Sequence, residues 1–307
     1  MWLSSIMKSV IVGGSGWVAK TATAHFFKKD FKRIDDVIIY GSKERLSDHF
    51  GEFQYPIKKW QVKRESFEVE TFVPAAFLTL TQNSKYDEHF FNSYNLELIE
   101  KACQYIEQNS PKKCILFSSG ITTLPEEMFS ESLQKLSYRK LKILEEIKVK
   151  DICDKVGSRL IVCRLFSASG KFIKDPDHYA LSNFILQGLT HRRIVVSSQY
   201  AVWRRYADLG QIFELSANLA DTHDFFVFES GGVLMELHDL SARVASLLGL
   251  EVPEQHLDQN HHDSYFSKSS LFEELAQSMD LKLLSIDDQI SETRKGVEDF
   301  ISRQKQY

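Results

Sequence analysis

The stretch Val10-Ile11-Val12-Gly13-Gly14-Ser15-Gly16-Trp17-Val18-Ala19-Lys20 decides the fold. A β-branched run reads as a strand, the glycines as a tight loop, and the residues from Trp17 as the opening of a helix. The spacing is Gly13-x-x-Gly16-x-x-Ala19. Glycines at these positions let the backbone turn sharply and approach a pyrophosphate, while the amides at a helix start offer an anion site. A glycine loop alone is a weak signal; strand before and helix after make it a dinucleotide loop, with Gly13, Ser15, Gly16, Trp17 and Val18 as its binding residues.

Outward from this loop, the first 165 residues alternate short β-branched runs with segments of helical period, as in a parallel sheet covered by helices. The expected strands are Ser9–Val12, Asp36–Tyr40, about Lys58–Val62, Ala76–Leu80, Lys113–Phe117 and Leu160–Arg164. The expected helices are Lys20–Phe31, Phe91–Glu107 and Leu136–Val156. Right-handed crossovers then give a doubly wound parallel sheet with its ligand beyond the carboxyl ends of the strands. After about residue 170 the pattern loosens: a turn at Asp175-Pro176-Asp177, a helix at Tyr179–Leu189, strands at Ile194–Val196 and Phe225–Glu229, and a helix at Leu234–Leu248. We expect residues 1–170, joined by parts of 194–222, to bind the cofactor, and 171–307 to form a smaller, mixed α/β substrate domain.

The composition agrees with this plan. The chain of 307 residues is 43% hydrophobic and 26% charged, with net charge −4. That excludes a disordered or collagenous chain and argues against a general nucleic-acid binder. Cys103, Cys114, Cys153 and Cys163 lie in apolar surroundings without metal spacing and read as reduced core residues. No apolar run is long enough to span a membrane and no signal peptide is evident, so a cytoplasmic protein is expected. Residues 1–6 read as an upstream extension of a strand beginning at Met7. His256, His261, His262 and Asp263 lack a second cluster, and no metal is expected. Lys58, Lys59, Lys63 and Arg64 around Trp60 read as a solvated strand edge.

Cofactor choice turns on the end of the second strand, Ile38-Ile39-Tyr40-Gly41-Ser42-Lys43-Glu44-Arg45, where a carboxylate would hold the adenosine ribose. None stands at the tip. Ser42, Lys43 and Arg45 suit a 2′-phosphate, which favours NADP, while Glu44 keeps NAD open. Farther on, Cys114-Ile115-Leu116-Phe117 runs into Ser118-Ser119-Gly120, and Tyr138 and Lys142 follow at i and i+4 of one helical face. A phenol is a poor acid-base catalyst near neutrality unless an ammonium stabilises its phenolate, which a lysine one turn away supplies.

On these residues the chain resembles the extended branch of the short-chain dehydrogenase/reductase superfamily, the nucleotide-sugar epimerases, dehydratases and reductases with a Rossmann fold. The loop Gly13–Ala19 looks like that family's GGxGFIG. Asn92, with Ala102 after it, stands at the place of its helix-borne asparagine. Ser118-Ser119 matches its serine pair and Tyr138/Lys142 its YxxxK. Arg164-Leu165-Phe166-Ser167-Ala168-Ser169-Gly170 looks like RPxNVYG, and Arg205-Tyr206-Ala207-Asp208-Leu209 like a later Arg…Asp-Leu element.

The resemblance implies catalytic roles for Ser119, Tyr138 and Lys142: Ser119 polarises the substrate oxygen, Tyr138 moves the proton, and Lys142 binds the nicotinamide ribose and lowers the tyrosine's pKa. It also implies substrate contacts from Ser118, Ser167 and Arg205. Arg205 would meet a substrate diphosphate or, alternatively, pair with Asp208. Two departures narrow the reaction. Gly120 and Ile121 replace the Asp-Glu pair of dehydratases, and Ser167 and Ser169 replace the asparagine and tyrosine of RPxNVYG. The expectation is an NADP(H)-dependent reductase of a 4-keto group on a nucleotide-activated deoxysugar. The alternatives are a 4-epimerase with retained NAD(P), or a non-catalytic NADP-binding regulator. A homodimer through the helices bearing Tyr138 and Asn92 is implied by the resemblance. The tail after Leu284 is expected only to pack.

Overall fold

Val10, Ile11 and Val12 are almost wholly removed from solvent, as a strand with neighbours on both edges and both faces must be. The computed structural model describes residues 7–29, 34–47, 54–80, 86–129, 132–254 and 258–305; residues 1–6, Phe31 and His256 lie outside them. The first half of the chain contributes β1 (Met7–Val12), α1 (Trp17–Lys29), β2 (Val37–Gly41), β3 (Arg45–Leu46), β4 (Pro56–Lys59), β5 (Glu68–Pro74), α2 (Glu88–Asn109), β6 (Lys113–Ser119) and α3 (Leu133–Val156). There follow β7 (Arg159–Leu165), β8 (Ser167–Ser169), α4 (Ala180–His191), β9 (Tyr200–Asp208), α5 (Leu209–Thr222) and β10 (Phe225–Glu229). The chain closes with β11 (Val233–Glu236), α6 (Leu237–Leu248), β12 (Asp258–Ser264), α7 (Leu271–Ser278) and α8 (Ile286–Gln304).

The chain forms two compact units. The first comprises the residues through Arg164 together with Ser216–Phe228. Its sheet has eight strands in the order β10-β7-β6-β5-β1-β2-β4-β3. From β1 the chain works outward to β2 and β4, then crosses back to β5 and proceeds the other way. β1 pairs in parallel with both β2 and β5, so the switch of direction lies between β1 and β5, where a doubly wound Rossmann sheet opens its crevice. Phe72, Tyr105, Ile106, Leu116, Val149 and Val162 fill one side of the core.

The second unit, Leu165–Leu215 with Glu229–Tyr307, is built on β9. This strand pairs antiparallel with β11 and in parallel with β12 and β8. The tail helix α8 does more than pack. Gln289 accepts from the Ser169 hydroxyl at 2.7 Å and donates to the Tyr206 carbonyl at 3.0 Å, and Thr293 accepts from the Gly170 amide. Its polar side chains thus satisfy buried groups of β8 and β9 that water cannot reach.

Four expected elements differ. The strand placed at Lys58–Val62 is Pro56–Lys59, after which the Trp60 amide bonds only the Gly41 carbonyl. The strand placed at Ala76–Leu80 is Glu68–Pro74. The Ala75 amide still bonds the Val12 carbonyl at 2.9 Å, but beyond it the Leu78 amide and carbonyl are claimed by the Asn95 side chain at 2.8 and 3.2 Å. Ile194–Val196 forms no strand, the Val195 amide bonding the Gln187 side chain instead. Leu234 belongs to β11, and the helix begins at Leu237 because Glu236 caps it, accepting from the His238 amide at 2.7 Å.

Candidate active site

The glycine loop is stapled to the end of β2. Gly13 and Gly14 both donate to the Tyr40 carbonyl, at 2.9 and 3.0 Å, and Gly16 donates to Gly13 at 2.7 Å. Gly13 has φ +100° and a Cβ there would lie 2.6 Å from the Ala75 carbonyl oxygen, so only glycine fits. The first helical bond of α1 runs from Lys20 to Gly16, and no acidic residue occupies its first turn. The positive end of the helix dipole therefore stands at the loop with no carboxylate to offset it, as an anion site requires. Ser15, Trp17 and Val18 are half-buried around this turn, and Ser42, Lys43 and Arg45 are exposed just past β2.

A carboxylate near the end of β2 that sequence reasoning missed is already engaged. Glu65 accepts from the Tyr40 hydroxyl at 2.6 Å and from Tyr105 at 3.3 Å. Burial first, then the Glu65 carboxylate, pushes both phenols upward.

At the carboxyl end of β6 the structure brings Ser119, Tyr138 and Lys142 together. Ser119 caps the short turn Gly120–Thr123, its Oγ accepting from the Ile121 amide at 3.4 Å, and it hydrogen-bonds the Tyr138 hydroxyl. Tyr138 lies buried on α3 among Phe91, Ile121, Phe129 and Leu141. The helix is long enough to carry it because Ser132 caps one end and Gly157, at φ 75°, closes the other. Asn92 accepts from Ser137 at 2.7 Å, tying α2 to the first turns of α3. Beside these, Ser118 is buried and its hydroxyl has no hydrogen-bond partner among the described residues.

One feature of the cluster departs from the expected electrostatics. Lys142 is only 5% exposed, and its ammonium donates to the Glu145 carboxylate at 2.8 Å and to the Phe117 carbonyl at 3.2 Å. It also stands 3.8 Å from the centre of the Phe77 ring, a cation–π contact in a dry setting. Its charge is thereby matched inside the protein. The Tyr138 phenol is pushed upward, first by burial and also by the charge of Glu145, with only the Ser119 hydrogen bond acting the other way. The phenol is thus held above its ordinary range, where the sequence pattern alone implied one lowered by the lysine. Glu145 was missed in the sequence, although its place three residues after Lys142 on a helix is the signal for such a pair. The next residue, Glu146, grips Arg164 of β7 through two guanidinium nitrogens.

In the second unit, Ser167 pairs in register with Tyr206 and is half-buried. Arg205 does not pair with Asp208. Its Nη1 donates to Glu273 at 3.4 Å and to the Ser269 carbonyl at 3.3 Å, whereas Asp208 accepts from the Gln211 amide at the start of α5. Glu273 also accepts from the Gly232 amide at 2.7 Å, while Arg205 Nε and the second Glu273 oxygen are buried with no hydrogen-bond partner among the described residues. Among the described residues no group of three His, Cys, Asp or Glu side chains is arranged to hold a metal, and no helix is long and apolar enough to cross a membrane.

No protein-family profile and no curated protein matches this sequence. Solved structures do. The UDP-N-acetylglucosamine 4-epimerase of Methanobrevibacter ruminantium M1, in complex with UDP-N-acetylmuramic acid, is 17% identical over 96% of this chain and 98% of its own, with TM-score 0.69. WbmF of Bordetella bronchiseptica, in complex with NAD+, is 14% identical over 98% and 96%, with TM-score 0.71. DesIV, a dTDP-glucose 4,6-dehydratase from Streptomyces venezuelae with NAD bound, is 12% identical over 95% and 97%, with TM-score 0.70. The chain has the fold of these three enzymes along almost its whole length.

Proposed function

We propose that the protein is an NADP(H)-dependent reductase of the extended short-chain dehydrogenase type, acting on a 4-keto group of a nucleotide-activated deoxysugar. The observation that carries this reading is the buried convergence of Ser119, Tyr138 and Lys142 at the carboxyl end of β6, with the Ser119 hydroxyl bonded to that of Tyr138. The glycine loop fits a dinucleotide: its Gly13 backbone excludes any side chain, and the dipole end of α1 is uncompensated. Gly13, Ser15, Gly16, Trp17 and Val18 would hold the pyrophosphate, Ser42, Lys43 and Arg45 the 2′-phosphate, and Tyr138 the nicotinamide ribose, which Lys142 would reach by giving up its hydrogen bond to the Phe117 carbonyl. When bound, this cofactor supplies the hydride.

The chain's own residues do the rest. Ser119 donates a hydrogen bond to the carbonyl oxygen and stabilises the negative charge that develops there. Tyr138 then transfers its hydroxyl proton to that oxygen. To the substrate we assign Ser118, whose buried hydroxyl is unpartnered, with Ser167 and Arg205 on the strength of the resemblance. Gly120 and Ile121, in place of an acidic pair, leave no carboxylate to eliminate water.

A 4-epimerase is the second reading, favoured by the 4-epimerases among the structures of like fold. A non-catalytic regulator is disfavoured by the presence of both Tyr138 and Lys142. We further propose a cytoplasmic homodimer through α2 and α3, supported by the exposed Phe90, Leu96, Leu133 and Ile147 on these helices. A panel of keto-sugar nucleotides with NADPH tests the leading reading: absorbance at the nicotinamide band should fall with substrate, and Tyr138→Phe should slow it by about 10²-fold or more. Tightly retained nicotinamide with turnover but no net NADPH loss would select the epimerase.

A further inference from the structure

Tyr138, Lys142 and Glu145 stand at i, i+4 and i+7 on one stripe of α3, all three buried. Glu145 is 3% exposed, and a carboxylate is almost never buried so deeply without a specific partner. Its partner is the Lys142 ammonium, whose remaining directions are taken by the Phe117 carbonyl and the Phe77 ring. Phe77 also meets Tyr138 edge-on, with ring centres 5.9 Å apart. The lysine is thus held in one place by three groups, and its charge is cancelled one turn from the phenol it would otherwise act upon.

We infer that Glu145 is a positioning residue: acting through Lys142, it withholds the ammonium's charge from the Tyr138 hydroxyl and so governs how readily that phenol gives up its proton. A free ammonium beside the phenol would stabilise phenolate and ease proton transfer in either direction. An ammonium neutralised by a buried carboxylate withdraws that support, and the carboxylate's own field opposes a second negative charge nearby. The charged and titratable groups around the pair are accounted for. Glu146, the next residue on α3, is engaged by Arg164 of β7 and by Thr122. β6 presents Ser119 and the Phe117 carbonyl. α2 presents the Cys103 thiol, itself pushed up to about 11 by burial first and then by neighbouring charges that include Glu100 and Glu145. The cations nearby are both engaged elsewhere, Lys148 of α3, which also acts on the Cys103 thiol, by Glu100 and Arg164 by Glu146, so neither replaces the charge of Lys142. Glu145 is itself raised, by burial first, with Lys142 holding it down.

The inference rests on the reading of Tyr138 as the proton donor, but its test needs no substrate. Protein labelled with 13C at tyrosine Cζ is titrated by NMR, the Tyr138 signal being identified by its loss in Tyr138→Phe. In the unsubstituted protein the signal should hold its phenol position through about pH 10. In Glu145→Gln, which keeps the shape and removes the charge, the transition to phenolate should fall by at least about one pH unit, a tenfold gain in ionisation. Glu145→Asp, which keeps the charge, should stay with the unsubstituted protein. A phenolate signal below about pH 9 in the unsubstituted protein overturns the inference, whether or not the glutamine variant folds. So does a Glu145→Gln titration that coincides with that of the unsubstituted protein. Failure of the NADPH assay alongside the expected NMR shift would refute the proposed reaction and leave the role of Glu145 standing.

Discussion

Replacing Lys142 by methionine isolates the energetics of the buried pair. The substitution keeps the length and apolar stem of the side chain, so it leaves little cavity, but it strands the Glu145 carboxylate in a site where the two side chains are only 6% and 4% exposed. Screening by water is negligible at such burial. Removing one partner of a buried ion pair costs about 3–5 kcal/mol, because the survivor keeps its desolvation penalty and loses its compensation. Replacing both partners by neutral groups of like volume is far milder. The expected result of urea denaturation at pH 7 is therefore a loss of about 3–5 kcal/mol for Lys142→Met and of less than about 2 kcal/mol for Lys142→Met/Glu145→Gln.

The single variant should also respond to pH. Burial raises Glu145 above its ordinary range in the native protein, so the folded state binds more protons than the unfolded state between the two pKa values, and stability falls as pH rises through that window. Without Lys142 the native value rises further. The window widens, and the penalty at pH 5 should be visibly smaller than at pH 7. A loss below about 1 kcal/mol at pH 7, or a penalty flat with pH, would show that the pair behaves as a solvated surface bridge and refute the reasoning.

Two further outcomes follow from other parts of the first unit. Asn95→Ala deprives the Leu78 amide and carbonyl of the side chain that bonds both, at 2.8 and 3.2 Å, and should cost roughly 2–3 kcal/mol in the same denaturation assay; a loss under about 0.5 kcal/mol would mean that water replaces the amide. Lys43→Ala/Arg45→Ala should weaken NADPH binding by tenfold or more, about 1.4 kcal/mol, and leave NADH binding within about twofold. Equal weakening of both, measured by fluorescence titration, would remove these residues from the 2′-phosphate site.

The legible parts of the sequence were those in which one local pattern had one structural meaning. Val10–Ala19 could be read as strand, loop and helix because Gly13 requires a positive φ and a bare Cα. Tyr138 and Lys142 could be paired because helical geometry alone puts i and i+4 together. The strand placed at Ala76–Leu80 failed because its apolar residues satisfy strand and loop equally well; the distant Asn95 decides between them, acting across 17 residues. Arg205 was offered Asp208, its neighbour in sequence, while Glu273, 68 residues on, is the partner found. Glu145 was overlooked for the opposite reason. It lies close to Lys142 in sequence, but a charged pair on a helix is usually a solvated one, and only the packing of α3 against β6 shows that this one is dry.

The strand β10 has a consequence for how the chain is made. It sits at the end of the eight-stranded order, next to β7. The Leu160 amide bonds the Asp224 carbonyl at 2.8 Å, and Arg159 reaches the Asp221 carbonyl at 2.7 Å. The residues that supply these groups are synthesised nearly sixty residues after β7, once Leu165–Leu215 of the second unit has been made. Until then β7 is a bare, apolar edge of the kind that recruits other strands. A fragment ending near Arg164 should therefore be prone to self-association, and a soluble cofactor-binding fragment requires Ser216–Phe228 to be grafted back, through a short linker, after β7.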